Sequence, residues 1–226
     1  MKIAIVGAAG RMGQKLCALV EGTELEVVSK VDVAEGYDRT WAADVEGVID
    51  FSYHTAVPPS VEKAAAAGIP YVIGTTGITA EEQKVVDAAA KRIPVVQSGN
   101  YSLGVNLLLE LVKKAASVLG PEYDIEVTEM HHKHKKDAPS GTALMLAKSA
   151  AAGRGASDDF VYGRHGDIGE RPVGEIAIHA LRGGSVVGDH TVMFAGDLER
   201  VELTHKAQDR TAFAAGALKA LAWAKG

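Results

Sequence analysis

The sequence predicts an α/β protein in which a Rossmann-like, doubly wound parallel sheet is joined to an α+β domain with a mixed sheet. Three observations predict this fold class. Apolar runs alternate with helix-like segments up to about residue 100, a glycine-rich turn directly follows the first run, and later runs alternate polar and apolar residues. The first rhythm favours a parallel sheet with helices on both faces, and the alternation is typical of a sheet with one wet face.

The first part of the chain contains five predicted strands and three predicted helices. The strands are KIAIV (2–6), Leu25–Asp32, Gly47–Phe51, Pro70–Thr76 and Ile93–Ser98. The helices cover about Arg11–Val20, Val57–Ala67 and Ala80–Lys91. Because most of these strands are continuously apolar, we expect them to be buried on both faces.

The rest of the chain has a different pattern. A long helix is predicted over Leu103–Leu119, a half-exposed strand over YDIEVTEMHH, and a helix from about Ser140. The alternating segments EIAIHALR, SVVGDHTVMFAG and RVELTHKA predict further strands, and an amphipathic helix ends the sequence. Residues 153–172, rich in glycine and charge, are expected to form a mobile loop. We expect two domains, residues 1–102 with 208–226 and residues 103–207.

Composition excludes several classes of function. A chain of 226 residues with 47% hydrophobic content can bury a full core, and its net charge of −5 argues against general affinity for nucleic acid or anionic membranes. No apolar run approaches the length of a membrane span. Cys17 is the only cysteine, which excludes a disulfide framework and a multi-cysteine zinc site. Cytoplasm is the expected compartment.

The turn GAAGRMG indicates dinucleotide binding. It places Gly7, Gly10 and Gly13 between the first strand and the first helix, where bare backbone can approach a diphosphate at the helix N-terminus. Asp32 ends the second strand, where an acid can bind the adenine ribose hydroxyls and repel a 2′-phosphate. Since VAEG after Asp32 contains no basic residue, NADH is expected to be preferred over NADPH. The loops GTTG (74–77) and SGNYS (98–102) end neighbouring strands and suit the nicotinamide side.

The stretch EMHHKHKKDAPSGTA, residues 129–143, concentrates three histidines and three lysines. A zinc site is disfavoured because His131 and His132 face opposite ways along a strand. Nucleic-acid binding is disfavoured because no aromatic residues accompany the basic ones. For Lys133 and Lys136 individually, a solvated basic loop remains an alternative interpretation. A carboxylate-binding pocket accounts for more of these residues. Lysine and histidine donate hydrogen bonds to anionic oxygens, and Ser140 could cap a helix whose first N–H groups face an anion.

This stretch, with GAAGRMG, VIDFS, VIGTTG, GNYSLGVN, VGDHTVMF and ELTHKA in order, resembles the 4-hydroxy-tetrahydrodipicolinate (dihydrodipicolinate) reductase family of lysine and diaminopimelate biosynthesis. The resemblance covers essentially the whole chain. It implies His131 as proton donor, Lys135 as second catalytic cation, and His132, Gly141 and Thr142 as substrate-binding residues. It implies a cofactor site made of Gly7, Ala8, Ala9, Gly10, Arg11, Met12, Asp32, Gly74, Thr75, Thr76, Ser98, Gly99, Asn100 and Tyr101.

The resemblance further implies NAD(P)H-dependent reduction of a small dicarboxylate, a first domain for the cofactor, a second for substrate and oligomerisation, and a homotetramer. NADPH use stays possible because the family often accepts both cofactors. The chain is short for the family, and the missing length falls between the second and third strands. Three alternatives stay open: a different nicotinamide-dependent dehydrogenase of a small amino-dicarboxylate, such as an aspartate dehydrogenase-like enzyme, a dinucleotide-sensing regulator, and a metalloprotein.

Overall fold

A computed structural model describes all 226 residues, which divide into two compact units, residues 1–102 with 210–226 and residues 103–209. The first unit contains β1 (Lys2–Val6), α1 (Arg11–Val20), β2 (Glu26–Val31), β3 (Gly47–Asp50), α2 (Val57–Ala67), β4 (Tyr71–Ile73), α3 (Ala80–Ala90), β5 (Val95–Gln97) and, at its end, α6 (Thr211–Lys225). The second contains α4 (Leu103–Leu119), β6 (Asp124–His131), α5 (Gly141–Arg154), β7 (Val161–Tyr162), β8 (Ile176–Arg182), β9 (Asp189–Ala195) and β10 (Arg200–Lys206).

The sheet of the first unit is parallel throughout, in the order β2-β1-β3-β4-β5. Successive strand residues point to opposite faces, so each face has its own core. Ile3, Ile49 and Val72 pack with α1 and α6 on one face, while Val48 and Ile73 belong to the core that α2 and α3 cover on the other. The carboxyl ends of the strands therefore lie at one edge, with the loops that follow them.

The sheet of the second unit is mixed, in the order β10-β9-β6-β8-β7. β6 runs parallel to β8 and antiparallel to β9. Apolar side chains of one face, such as Val127, Val192 and Phe194, pack against Leu108 of α4 and Leu146 of α5. The two helices cover only this face, so the alternate positions of β6 and β9 are only half-buried.

The predicted fold class is confirmed, with corrections of detail. Residues 153–172 are not wholly loop: α5 continues to Arg154, β7 pairs with β8, and Arg164 and Arg171 make salt bridges to Glu126. Several strands of the first sheet are a residue or more shorter at their ends than predicted. The apolar sequence extends beyond the last residues that form the inter-strand hydrogen bonds. The connection from β2 to β3 contains no helix. None of the helices combines the length and the apolar character that spanning a membrane requires.

Candidate active site

The turn after β1 has the geometry that close approach of a diphosphate requires. Gly7 has φ +81°, in the left-handed region that favours glycine, and a Cβ there would lie 2.3 Å from the carbonyl oxygen of Phe51. A Cβ on Gly13 would lie 2.2 Å from the carbonyl oxygen of Gly7. α1 begins at Arg11, and its N-cap residue Gly10 makes no side-chain hydrogen bond. No capping side chain therefore competes with an anion for the first-turn N–H groups.

A cavity of 790 Å³ lies beside this turn. Its lining includes Gly7, Ala9 and Gly10 from the turn and Asp32 from the segment after β2. The Asp32 carboxylate accepts the N–H of Ala9 at 3.0 Å and that of Ala34 at 3.1 Å, so the backbone orients it. These residues fit a dinucleotide, with a helix N-terminus for the diphosphate and a carboxylate for ribose hydroxyls.

Two cations line the same cavity, and the residues next to Asp32 in sequence did not predict them. The Arg39 guanidinium donates to the carbonyl oxygen of Asp32 at 3.3 Å. Lys63 on α2 donates to the Thr40 hydroxyl and, at 2.9 Å, to the carbonyl oxygen of Trp41, and its Nζ lies 4.3 Å from the Trp41 ring centroid. Lys63 thereby attaches the segment after β2 to α2, and Arg39 brings positive charge beside the acid.

A buried carboxylate at the end of β3 orders the loops around the cavity. Asp50 is fully buried and accepts the hydroxyls of Tyr71 and Ser52, each at 2.5 Å, and that of Thr75 at 2.8 Å. Burial, followed by the negative charge of Asp50, raises the pKa of Tyr71 well above its usual value, so Tyr71 is the donor. Because its hydroxyl is committed to Asp50, Thr75 presents only backbone groups to a ligand.

The other predicted cofactor residues lie at the same sheet edge but outside the cavity lining. Gly74–Thr76 follow β4 and Ser98–Tyr101 follow β5. The Tyr101 hydroxyl donates to the carbonyl oxygens of Ile73 and Val96, at 2.7 and 2.8 Å, and its ring belongs to the core. Within the turn, Arg11 is exposed, Met12 is half-buried and Ala8 is buried.

In the second unit, the end of β6 carries a histidine held by a buried carboxylate. His131 Nδ1 lies 2.6 Å from Glu129 Oε2, and the Glu129 side chain is 0% exposed. Arg182, directly across from His131 on β8, donates to both oxygens of Glu129 at 2.8 and 2.9 Å. Burial favours a higher pKa for Glu129, but hydrogen bonds from Arg182 and His131 outweigh it, so its pKa lies below the usual range. The carboxylate is therefore ionised at neutral pH.

The segment after β6 places Lys135 near its own counter-ion. Lys135 Nζ donates to the two carboxylate oxygens of Asp137 at 2.7 and 2.9 Å. Burial acts to raise the pKa of Asp137, but the hydrogen bond from Lys135 outweighs it and the pKa is lowered. The ring of His132, which follows β6, lies 6.2 Å from that of His134, centroid to centroid. Lys135 and the two histidines thus follow the same end of β6, and Lys135 is paired to an exposed acid.

α5 begins at Gly141 and is capped by Ser140. The Ser140 Oγ accepts the N–H of Ala143 at 3.1 Å and contacts His190 Nε2 at 2.9 Å. Burial, then the positive charge of His131, lowers the pKa of His190 to about 4, so His190 is neutral at pH 7. Gly141 has no side chain and Thr142 follows it, so the first turn of α5 offers a carboxylate N–H groups and the positive end of the helix dipole.

The fold thus brings His131, His132, Lys135, Gly141 and Thr142 into one loop and its flanking elements. Sequence reasoning missed the supporting residues Arg182 and His190, whose contacts depend on strand pairing rather than on spacing in the chain. His190 stands opposite Glu129 in the β6–β9 register. No group of three or more His, Cys, Asp or Glu residues is arranged to hold a metal ion.

A parallel sheet with a glycine turn, an acid after β2 and a separate cationic site defines the class of dinucleotide-binding oxidoreductases. Comparison with known families is more specific. The family models described as dihydrodipicolinate reductase, N-terminus, and dihydrodipicolinate reductase, C-terminus, match residues 1–101 and 104–226. The chain belongs to the dihydrodipicolinate reductase family, which confirms the resemblance inferred from the motifs.

Individual relatives agree with the family. A 4-hydroxy-tetrahydrodipicolinate reductase of Akkermansia muciniphila is 50% identical over 100% of this chain and 93% of its own, and one of Anaeromyxobacter dehalogenans strain 2CP-C is 46% identical with the same coverage. A solved structure, dipicolinate-bound dihydrodipicolinate reductase from Paenisporosarcina sp. TG-14, aligns with a TM-score of 0.78 over 100% of this chain and 94% of that chain. Its sequence identity is 23%, so that likeness concerns the fold.

Proposed function

We propose that the protein is an NAD(P)H-dependent oxidoreductase that converts (2S,4S)-4-hydroxy-2,3,4,5-tetrahydrodipicolinate to (S)-2,3,4,5-tetrahydrodipicolinate and water. This is a step of lysine and diaminopimelate biosynthesis. The observation that carries the proposal is the grouping of His131, Lys135 and the α5 N-terminus at the end of β6. Such a site supplies a proton donor and cationic groups for a substrate with two carboxylates.

Each residue of this group has a proposed role. When bound, the reduced nicotinamide supplies a hydride for C4 of the substrate ring after water has left. His131 then provides the proton that completes the reduction, and Lys135 stabilises negative charge that develops on the ring-nitrogen side. Gly141 and Thr142 hold one substrate carboxylate through the first turn of α5, and His132 contacts the substrate.

Asp137 adds a requirement that the sequence did not suggest. Lys135 Nζ forms a salt bridge with the Asp137 carboxylate at 2.7 Å. Because the Asp137 side chain is 65% exposed, exchanging this ion pair for one with a substrate carboxylate costs little. We expect Lys135 to change partner when substrate binds.

We propose NADH as the preferred cofactor and NADPH as an accepted one. Asp32, whose carboxylate is held by the Ala9 N–H, is suited to bind ribose hydroxyls and to repel a 2′-phosphate, whereas Arg39 offers a cation beside it. The proposed cofactor residues are those inferred from the family: Gly7, Ala8, Ala9, Gly10, Arg11, Met12, Asp32, Gly74, Thr75, Thr76, Ser98, Gly99, Asn100 and Tyr101. The side chains of Thr75 and Tyr101 are used within the fold, so backbone contacts are expected from these two.

We propose that the unit of residues 1–102 and 210–226 holds the cofactor and that the unit of residues 103–209 holds the substrate and builds a homotetramer. The sheet face opposite α4 and α5 supports this, because Thr128, Met130, Thr191 and Met193 are only half-buried there. Light scattering after gel filtration should give a mass near four times the chain's 23.6 kDa. A single-chain mass at micromolar concentration would contradict the tetramer.

The decisive test of the reaction is oxidation of NADH and NADPH at 340 nm, with substrate made in situ by the preceding synthase from pyruvate and L-aspartate semialdehyde. Wild type should turn over with both cofactors, and faster with NADH. His131→Ala should lose turnover while still binding NADH, and Lys136→Ala serves as the matched control for a residue of the same loop. Wild-type protein that binds NADH without turnover would refute the proposal. Oxidation of L-aspartate by NAD would instead support an aspartate dehydrogenase-like enzyme.

A further inference from the structure

We propose that Glu129, held by Arg182, is a positioning residue that fixes the tautomer and the orientation of His131 for proton transfer. This inference rests on the proposed function, since it assigns the support of its proton donor. Neither residue was assigned a part in the reaction by the motif or by spacing.

The Glu129 carboxylate is fixed from several directions. Oε1 accepts the Ser140 N–H at 3.0 Å and one Arg182 nitrogen at 2.9 Å, while Oε2 accepts the other Arg182 nitrogen at 2.8 Å and faces His131 Nδ1 at 2.6 Å. Arg182 also donates to the carbonyl oxygen of Asp137 at 2.7 Å. With the side chain fully buried, these contacts prevent the carboxylate from rotating.

This arrangement dictates where the histidine carries its protons. A carboxylate only accepts hydrogen bonds, so His131 Nδ1 must be the donor towards Glu129. In the neutral ring the proton is therefore on Nδ1 and Nε2 is bare. In the imidazolium form Nε2 carries the proton that can be transferred, and the negative charge of Glu129 stabilises that form.

The surroundings leave Nε2 as the reactive atom. A Cβ on Gly188 would lie 2.9 Å from His131 Nε2, so the glycine keeps space beside it. The charged or titratable groups around His131 are Glu129, the Arg182 paired to it, and His190 of β9, whose ring centroid is 5.1 Å away. Lys135 and His205 act on His190 in turn. Burial keeps His190 neutral at pH 7, so this ring adds no competing positive charge beside His131.

Glu129→Gln distinguishes the proposed positioning role of Glu129 from a purely structural role. The amide has one accepting oxygen, whereas the Ser140 N–H, the Arg182 fork and the His131 Nδ1–H require acceptors at both positions. We expect kcat to fall about 100-fold with KM changed only a few-fold. Glu126→Gln, on the same strand but facing the other side, is the matched control and should keep the wild-type kcat and KM.

Loss of Glu129 also leaves Arg182 unpaired, which could impair folding. The double variant Glu129→Leu/Arg182→Met removes both charges together. If Glu129 only neutralises Arg182, the double variant recovers wild-type kcat, which would overturn the proposal. If Glu129 positions His131, kcat stays low in a folded protein.

The closing experiment reads the tautomer directly, by nitrogen-15 NMR of histidine-labelled, unliganded full-length protein, with His131→Gln used to assign the signal. Wild type should show neutral His131 protonated at Nδ1, and Glu129→Gln should lose this preference. A wild-type ring protonated at Nε2, or an unchanged tautomer in Glu129→Gln, would overturn the inference. Since no turnover is needed, failure of the reductase assay in wild type would refute the proposed function alone.

Discussion

Gly188→Ala offers a way to displace the proposed proton donor without changing any charge. The added Cβ would lie 2.9 Å from His131 Nε2, 3.4 Å from its Cδ2 and 3.5 Å from His190 Cε1. Non-bonded heavy atoms prefer about 3.5 Å or more, so the histidine ring or the Gly188 backbone must yield by roughly half an ångström. His131 cannot yield freely because Glu129 holds its other nitrogen.

Such a displacement of the His131 ring should have a large effect on the rate of proton transfer and a small effect on the free energy of unfolding. Misplacing a catalytic group by about 1 Å can cost about 100-fold in rate, so we expect kcat to fall by about 10- to 100-fold. Overpacking at one site costs about 1–3 kcal/mol of unfolding free energy. The assay is kcat and KM for reductase turnover, with urea denaturation measured on the same samples.

Gly183→Ala is the matched control. Its added Cβ would also approach an atom at 2.9 Å, but that atom is Cε of Met130, the free end of a flexible side chain. We expect this variant to keep kcat within about twofold, because the methionine can rotate away. Wild-type kcat in Gly188→Ala, or equal losses in both variants, would refute the claim that the space beside Nε2 matters.

Three further results are expected. Asp32→Ser should raise the ratio of NADPH affinity to NADH affinity by about tenfold, and Arg39→Ala should lower this ratio. Both are measured by fluorescence titration of each cofactor. Unchanged ratios would show that neither residue contacts the adenosine part of the cofactor. Ser140→Ala loses the α5 cap and its contact with His190, so urea denaturation should show a loss of about 1–2 kcal/mol and the substrate KM should rise; stability equal to wild type would contradict the cap. Salt bridges outweigh burial and lower the pKa of Glu126 from 4.5 to about 2, so its stabilisation is complete above pH 4.5 and is lost as pH falls towards 2, by up to about 3 kcal/mol. Glu126→Gln should flatten the pH dependence of the unfolding free energy in that range. An unchanged slope would contradict the claim that Glu126 titrates there.

Most of the fold could be predicted because its signals are local. β1, α1 and α4 have the bounds that the sequence pattern predicted. The spacing of apolar residues and the position of glycines determine where an element begins and ends within a few residues. The mixed character of the second sheet was anticipated from alternation. β7 was missed because a strand of two residues at an edge carries no periodicity of its own. The salt bridges of Arg164 and Arg171 with Glu126 could not be predicted because these partners are distant in sequence.

The candidate site divides in the same way. His131, Lys135 and Gly141 belong to one continuous motif, so their proximity follows from chain connectivity. Arg39 lies seven positions after Asp32, and no local pattern indicates that its guanidinium contacts the Asp32 carbonyl oxygen.

The sequence by itself determined the class of fold and the family, and it supplied the residues proposed to carry the chemistry, because each depends on short-range pattern or on one contiguous motif. The tertiary structure decided what the motif could not contain: Arg182 opposite His131 and His190 opposite Glu129 through strand pairing, and the space at Gly188 beside His131. The physical reason is that a proton donor needs a fixed tautomer and a counter-charge. A buried carboxylate can supply both only when partners from other strands complete its hydrogen bonds.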